Sequence, residues 1–223
     1  GAGVPQDATP SLRANFRQWL LPEVFDRAVR AINRTDDGCE WLTDRQLEDL
    51  RSQLLRHPNR TLLEANEAVQ AMLFKAQTDL NELTGEVDPV VRLIDFHNPA
   101  NNQFHAINQF RIDTPGCVKA FLIPDIVLFV NGIPVATAEL KSHYTQSVQD
   151  AVYQYKTDRE PFFKPKNVAE PLLAFPGGAL VHFAVSNAAA EMTTRLVGLD
   201  TTFLPFNQGN AGGAGNPPKA GIA

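Results

Sequence analysis

Three ionisable side chains stand at strand ends within one short stretch. Asp125 follows Pro124, and Glu139 and Lys141 close the apolar run that begins at Ile133. Two carboxylates converging on one point suit a hard cation, which takes oxygen ligands and, when it is magnesium, keeps several of its waters. A lysine two residues beyond the second carboxylate projects from the same strand face. There it can orient or help deprotonate an attacking water, or neutralise charge on a phosphoryl transition state, while the metal polarises the phosphoryl oxygen. The chemistry is in-line hydrolysis of a phosphodiester. Asp125, Glu139 and Lys141 are the candidate catalytic residues, with Asp125 and Glu139 as metal ligands for Mg²⁺ or Mn²⁺.

Taken alone, Asp-x13-Glu-x-Lys is a pattern that chance supplies often, and charges on the wet face of a sheet are an equal reading of the spacing. Two features favour a site. Glu139 and Lys141 interrupt an otherwise apolar strand, and Asp125 stands at the mouth of another, so the charges cluster instead of alternating along a polar face. Asn131-Gly132 is a strong hairpin signal, because both residues tolerate positive φ. Register then matters. A plain two-residue turn places Asp125 opposite Ala138 and Glu139 on the other face, whereas a three-residue turn ending in a left-handed Gly132 places Asp125 opposite Thr137, on the face of Glu139 and Lys141. The shared-metal reading demands the bulged turn. Downstream, Gln149 and Tyr153 lie four residues apart on one helix face. They could flank the carboxylates, but by spacing alone two ordinary exposed polar residues is the stronger reading.

The elements that must carry these groups follow from periodicity. Ser11 to Asn33 has helical spacing interrupted at Pro22, which reads as one broken helix or two short ones. Thr43 to Arg56 opens on a capping Thr with Gln46 three residues on, and Leu47, Leu50 and Leu54 form one stripe. Thr61 to Leu83 repeats the helical pattern. After Gly85 the period falls to about two. Strands are predicted around Val87–Ile94, Phe104–Phe110, Ile126–Val130 and Ile133–Leu140, all in one sheet. Gln146 to Lys156 returns to helical spacing, and Leu180 to Val185 reads as a strand buried on both faces. The expectation is an α/β core with a helical N-terminal region.

A chain of 223 residues with 43% hydrophobic content is large enough for one sizeable core. The formal charge of −5 lacks the strongly basic balance common in nucleic-acid-binding domains. A groove can still be positive locally, and Lys156, Arg159, Lys164 and Lys166 supply such a bias, partly offset by Asp158 and Glu160. Cys39 and Cys117 are the two cysteines, far apart and without metal-ligand spacing. That pattern suggests neither a disulfide framework nor a zinc site, and a reducing cytoplasm fits best. No basic stretch followed by an apolar core opens the chain, and no apolar run approaches the roughly 18 residues of a spanning helix. A soluble protein without membrane association is expected.

Taken together, these residues resemble the restriction subunit of type I restriction-modification enzymes. The likeness runs in order through Gly85-Glu86-Val87-Asp88, Leu93-Ile94-Asp95-Phe96, Asn108-Gln109-Phe110 and the hairpin ending Glu139-Leu140-Lys141. It continues through Val181 to Asn187, Met192 to Leu196 and Phe203 to Asn207, covering roughly residues 60 to 218. The resemblance implies a restriction-endonuclease-like core, a mixed β-sheet flanked by helices, and a PD-(D/E)xK nuclease in which Asp125 and Glu139 hold the metal and Lys141 is catalytic. Gln149-Asp150-Ala151-Val152-Tyr153 matches the family's Q-x-x-x-Y helix, which implies that Gln149 and Tyr153 position the DNA backbone. An acidic residue on the helix before the sheet is often a further ligand, and Glu67 is the best match, with Glu64 second, though a surface Glu is the stronger reading.

The family's subunit continues into motor lobes with a G-x-x-x-x-G-K-[ST] phosphate loop, and this sequence contains none. ATP is therefore expected only through motor domains outside this chain. The implied partners are double-stranded DNA and the modification and specificity subunits, the reading of the DNA target belonging to another subunit. The implied organisation is a helical region at 1–60, a nuclease domain at 61–208 and a Gly/Pro-rich linker toward the motor at 209–223. A module that only docks DNA or a partner is a different class of function, against which the intact Asp125, Glu139 and Lys141 set argues. A repair or recombination nuclease of the same fold is disfavoured by the segments around Met192 and Phe203.

Overall fold

The computed structural model describes residues 4–55, 62–118, 120–142, 147–175, 177–209, 211–213 and 215. Among them are four helices, α1 (Pro22–Ile32), α2 (Asp44–Leu55), α3 (Leu62–Lys75) and α4 (Val148–Thr157). The strands of the main sheet are β1 (Phe104–Asn108), β2 (Ile126–Val130), β3 (Ile133–Lys141), β4 (Val181–Ser186), β5 (Ala190–Thr193) and β6 (Leu204–Pro205). Their order across the sheet is β6-β5-β4-β3-β2-β1, with β4 parallel to β3 and antiparallel to β5. The fold is thus α/β, as the periodicity predicts, with the mixed sheet that the resemblance implies. Parallel neighbours cannot be joined by a tight turn, and α4 lies in the long connection between β3 and β4. None of the described helices is long and apolar enough to cross a membrane.

The chain divides into two compact units, Gly1–Pro5, Ile107–Val127 and Val135–Ala223 in one and Gln6–Ala106 and Leu128–Pro134 in the other. In the second, helical unit, α1 starts at Pro22, whose fixed φ and missing N–H suit a first helical position. This settles the broken pattern of Ser11 to Asn33 as one helix preceded by irregular chain. Val24, Phe25, Ala28, Val29 and Ile32 are its buried stripe. Thr43 and Gln46 bond reciprocally, amide to side chain in both directions, at the start of α2. The stripe Leu47, Leu50 and Leu54 packs with Phe25, Val29, Leu73 and Leu93 in one cluster.

Two expectations fail in this unit. Helix α3 ends at Lys75, not near Leu83; the next residues, Ala76–Gln77, pair antiparallel with Val90–Val91, and Leu80–Asn81 pair with Glu86–Val87. The segment 87–94 is therefore not a strand of the main sheet, although the other three predicted strands are. Short apolar runs carry helical and strand periodicities equally well, and here local ladders and the burial of Val91 and Leu93 decide between them.

The β2–β3 connection differs as well. Asn131 and Gly132 have φ of 50° and 76°, the paired positive values of a two-residue I′ turn, with β2 ending at Val130 and β3 starting at Ile133. The expected bulged turn does not form. Asn131 is fully buried, and its side chain donates to Leu93 O and Asn102 Oδ1 and accepts from Gln103 N, each at 2.8 Å. These bonds hold it in the left-handed region that a three-residue turn would not need.

In the first unit α4 packs Ala151, Val152 and Tyr155 against Ala184, Leu173 and Leu196. Beneath it Thr137 Oγ1 lies 2.8 Å from both the Tyr155 hydroxyl and His182 Nδ1. Burial pushes His182 down to about 4 from its ordinary 6.5, because the charged ring would lose its hydration. The fold therefore holds His182 neutral while the unfolded chain protonates it below about 6.5. That contribution to stability is complete above about 6.5 and is lost as pH falls toward 4, by up to about 3 kcal/mol. Urea unfolding at pH 7 and pH 4.5 is expected to show a steep loss in the wild type and a shallower one in His182→Gln. Parallel losses in the two would place the titration elsewhere.

Candidate active site

Strand alternation places Thr137, Glu139 and Lys141 on one face of β3, in register with His182, Ala184 and Ser186 of β4. That is the face under α4. Glu139 is fully buried, and Arg159, one residue beyond the helix's C-cap, donates from Nε to its Oε1 at 2.6 Å. Among the described residues Oε2 has no hydrogen-bond partner. Desolvation raises this carboxyl to about 7, held back by the Arg159 charge and raised further by the neighbouring charge of Asp125. A buried carboxylate oxygen without a donor is costly, and among the described residues Glu170 Oε2 shares that state with Glu139 Oε2.

Asp125 approaches from a different direction than the turn geometry alone allows. A register carried straight down from the I′ turn would set Asp125 and Glu139 on opposite faces. Asp125, however, lies in a bend before β2, so strand alternation does not bind it. Its Oδ2 accepts from the Leu140 amide at 2.8 Å and its Oδ1 from Gln109 Nε2 at 3.0 Å. The Gln109 amide in turn donates to the Asp125 carbonyl at 2.8 Å. The structure thus brings Asp125 beside the residue that follows Glu139. It does so by a bend and a side-chain bond to the β3 backbone, and not by a bulge.

Lys141 Nζ donates to Gln154 Oε1 of α4 at 2.5 Å, which holds the ammonium on the Glu139 face. Gln149 and Tyr153 also lie on α4, ahead of Gln154. Gln149 Nε2 donates to Glu191 Oε1 at 2.8 Å, and Glu191 shares a cross-strand row with Ala184 and Glu139. Tyr153 is 64% exposed. Among the described residues no hydrogen bond joins Gln149 or Tyr153 to Asp125, Glu139 or Lys141. Glu67 and Glu64 are exposed on α3, which belongs to the helical unit. Among the described residues no cluster of three or more His, Cys, Asp or Glu forms a ready metal cage.

The basic group at 156–166 is less free than its sequence suggests. Arg159 is spent on Glu139, and Lys164 pairs with Glu160 at 2.5 Å. Sequence reading missed Arg159, Gln154, Gln109 and Glu191 as neighbours of the site. Helical spacing could have offered Gln154, which lies on α4 beyond Gln149, but nothing local marks the other three.

The α/β fold thus gathers two carboxylates and a lysine at one end of a β-hairpin. The family model described as "Type I restriction enzyme R protein N terminus" matches residues 4–199, and the chain belongs to that family. A putative type I restriction enzyme MjaIXP endonuclease subunit of Methanocaldococcus jannaschii is 29% identical over 147 residues, 65% of this chain and 14% of that protein. The type I restriction enzyme HindI endonuclease subunit of Haemophilus influenzae is 40% identical over 73 residues, 32% of this chain and 7% of that protein. The matched stretches thus span small fractions of both relatives.

Proposed function

We propose that this chain is the metal-dependent nuclease module of a type I restriction enzyme, hydrolysing DNA phosphodiester bonds. The observation that carries the reading is Glu139, fully buried, with one oxygen held by Arg159 and the other without a donor among the described residues, beside the carboxylate of Asp125. A buried oxygen of this kind fits a cation better than it fits nothing. Asp125 and Glu139 would hold Mg²⁺ or Mn²⁺, and water would complete the shell, as small hard cations prefer. The ion, when bound, supplies Lewis-acid polarisation of a phosphoryl oxygen and a more acidic water.

The chain's own residues do the rest. Lys141, oriented by Gln154, presents an ammonium on the face of Glu139, where it can position the attacking water and offset negative charge on the phosphoryl group. The exposed Tyr153 and the Gln149 amide offer donors to the DNA backbone from α4, whose first turn also carries the Ser147–Asp150 capping box. Double-stranded DNA, the modification and specificity subunits and an ATP-driven motor on other domains complete the working enzyme in this reading.

Titration calorimetry with Mn²⁺ tests it. The wild type is expected to give saturable heats that Asp125→Ala loses, and equal heats from both would remove the metal assignment. Because Glu139 sits at about 7, it is partly protonated at neutral pH and the cation needs it ionised. Binding should therefore release protons, visible as heats that depend on the buffer, and affinity should fall as pH drops below about 7.

A further inference from the structure

We propose that Arg159 is a positioning residue of this site, a brace that sets the separation of the two carboxylates. The proposal rests on the metal reading above. The guanidinium donates twice, from Nε to Glu139 Oε1 at 2.6 Å and from Nη2 to the Ile123 carbonyl at 2.9 Å. Ile123 stands two residues before Asp125, with Pro124 between them fixing one backbone torsion. One planar group therefore ties the β3 carboxylate to the bend that carries the other carboxylate. The Arg159 side chain is 15% exposed and that of Glu139 is 0% exposed, so water does little to loosen the pair.

Among the described residues one other tie links the same two segments, the Leu140 amide to Asp125 Oδ2. Two ties define an orientation where one leaves a pivot. Arg159 is itself seated by α4, whose Tyr155 and Val152 are packed against β4, and Gln154 of the same turn holds Lys141. The last turn of α4 thus sets all three candidate reacting groups. It also explains why Oε1 rather than both oxygens is occupied, since the brace takes one lone-pair edge and leaves Oε2 for a ligand.

A lysine at this position would keep the positive charge but lose the rigid fork, because an ammonium is a point charge on a flexible stem. That difference separates a brace from simple charge compensation. The experiment is Mn²⁺ calorimetry and thermal melting, with and without Mn²⁺, on the 223-residue wild type, Arg159→Lys, Arg159→Gln and Asp125→Ala. Partners that orient metal ligands are commonly worth about 10- to 100-fold in metal affinity. Both Arg159 variants are expected to lose affinity in that range, and the rise in melting temperature on adding Mn²⁺ should shrink with it.

Wild-type affinity in Arg159→Lys would show that charge alone suffices and overturn the brace. So would lower metal-free melting temperatures in both variants with an unchanged Mn²⁺ increment, which is the mark of a purely structural arginine. Wild-type heats that persist in Asp125→Ala would overturn the metal reading, and the brace with it. The two failures are thereby distinguished.

Discussion

On the nuclease reading proposed above, replacing Lys141 with alanine in the assembled enzyme is expected to slow DNA cleavage by roughly 10²- to 10⁴-fold, the usual worth of a group that moves a proton or offsets charge in the transition state. ATP turnover and translocation on the same DNA should stay near wild type. The contrast follows from where Lys141 sits. Its ammonium reaches Gln154 and shares a strand face with the buried Glu139, whereas the sequence holds no phosphate loop of its own. The fold should survive the change, because a half-exposed lysine with one side-chain partner contributes about 0–1 kcal/mol. Linear product formation against ATP turnover, on DNA with unmodified target sites, is the measurement. Cleavage near the wild-type rate would make Lys141 an ordinary lysine. Loss of both activities with an intact fold would mean that this module is coupled to the motor.

Gly132→Ala is expected to be the most destabilising small substitution in the hairpin. A Cβ there would stand 2.5 Å from Leu21 O and 2.8 Å from Phe25 N, both backbone atoms, which cannot swing aside as a side chain can. The residue also has φ of 76°, and its carbonyl accepts from Leu21 N at 2.9 Å. A left-handed alanine costs about 1–2 kcal/mol and a forced overlap about 1–3 kcal/mol, so a total of roughly 2–5 kcal/mol is expected. For a chain of this size that lowers the melting temperature by about 5–20 °C. Gly38→Ala is the control. Gly38 has φ of 82° but nothing within 4 Å of its would-be Cβ, so it carries the backbone cost alone. Melting of Gly132→Ala within about 2 °C of Gly38→Ala would mean that the close approach to α1 is not a constraint.

The hairpin and its Asn-Gly turn, the helix that follows it and the strand after that were legible in the amino-acid order, because each is written in short-range periodicity and turn chemistry. Asp125, Glu139 and Lys141 stood out for the same reason, as charges placed where an apolar strand gives no cause for them. The lengths of α3 and of the segment after Gly85 were not legible. Ala76, Val91 and Leu93 satisfy helical and strand patterns alike until local pairing and burial choose. The turn type needed distant partners, since Asn131 is held left-handed by Leu93, Asn102 and Gln103.

The site's electrostatics belonged wholly to the tertiary structure. Whether Glu139 is an exposed acid or a buried one raised to about 7 depends on α4 covering its face, and whether it has a counter-charge depends on Arg159 arriving twenty residues later in the chain. Periodicity assigns a side chain to a face. It cannot say which group from elsewhere in the chain will meet it there, because desolvation and Coulomb interactions depend on distance in space and not along the sequence.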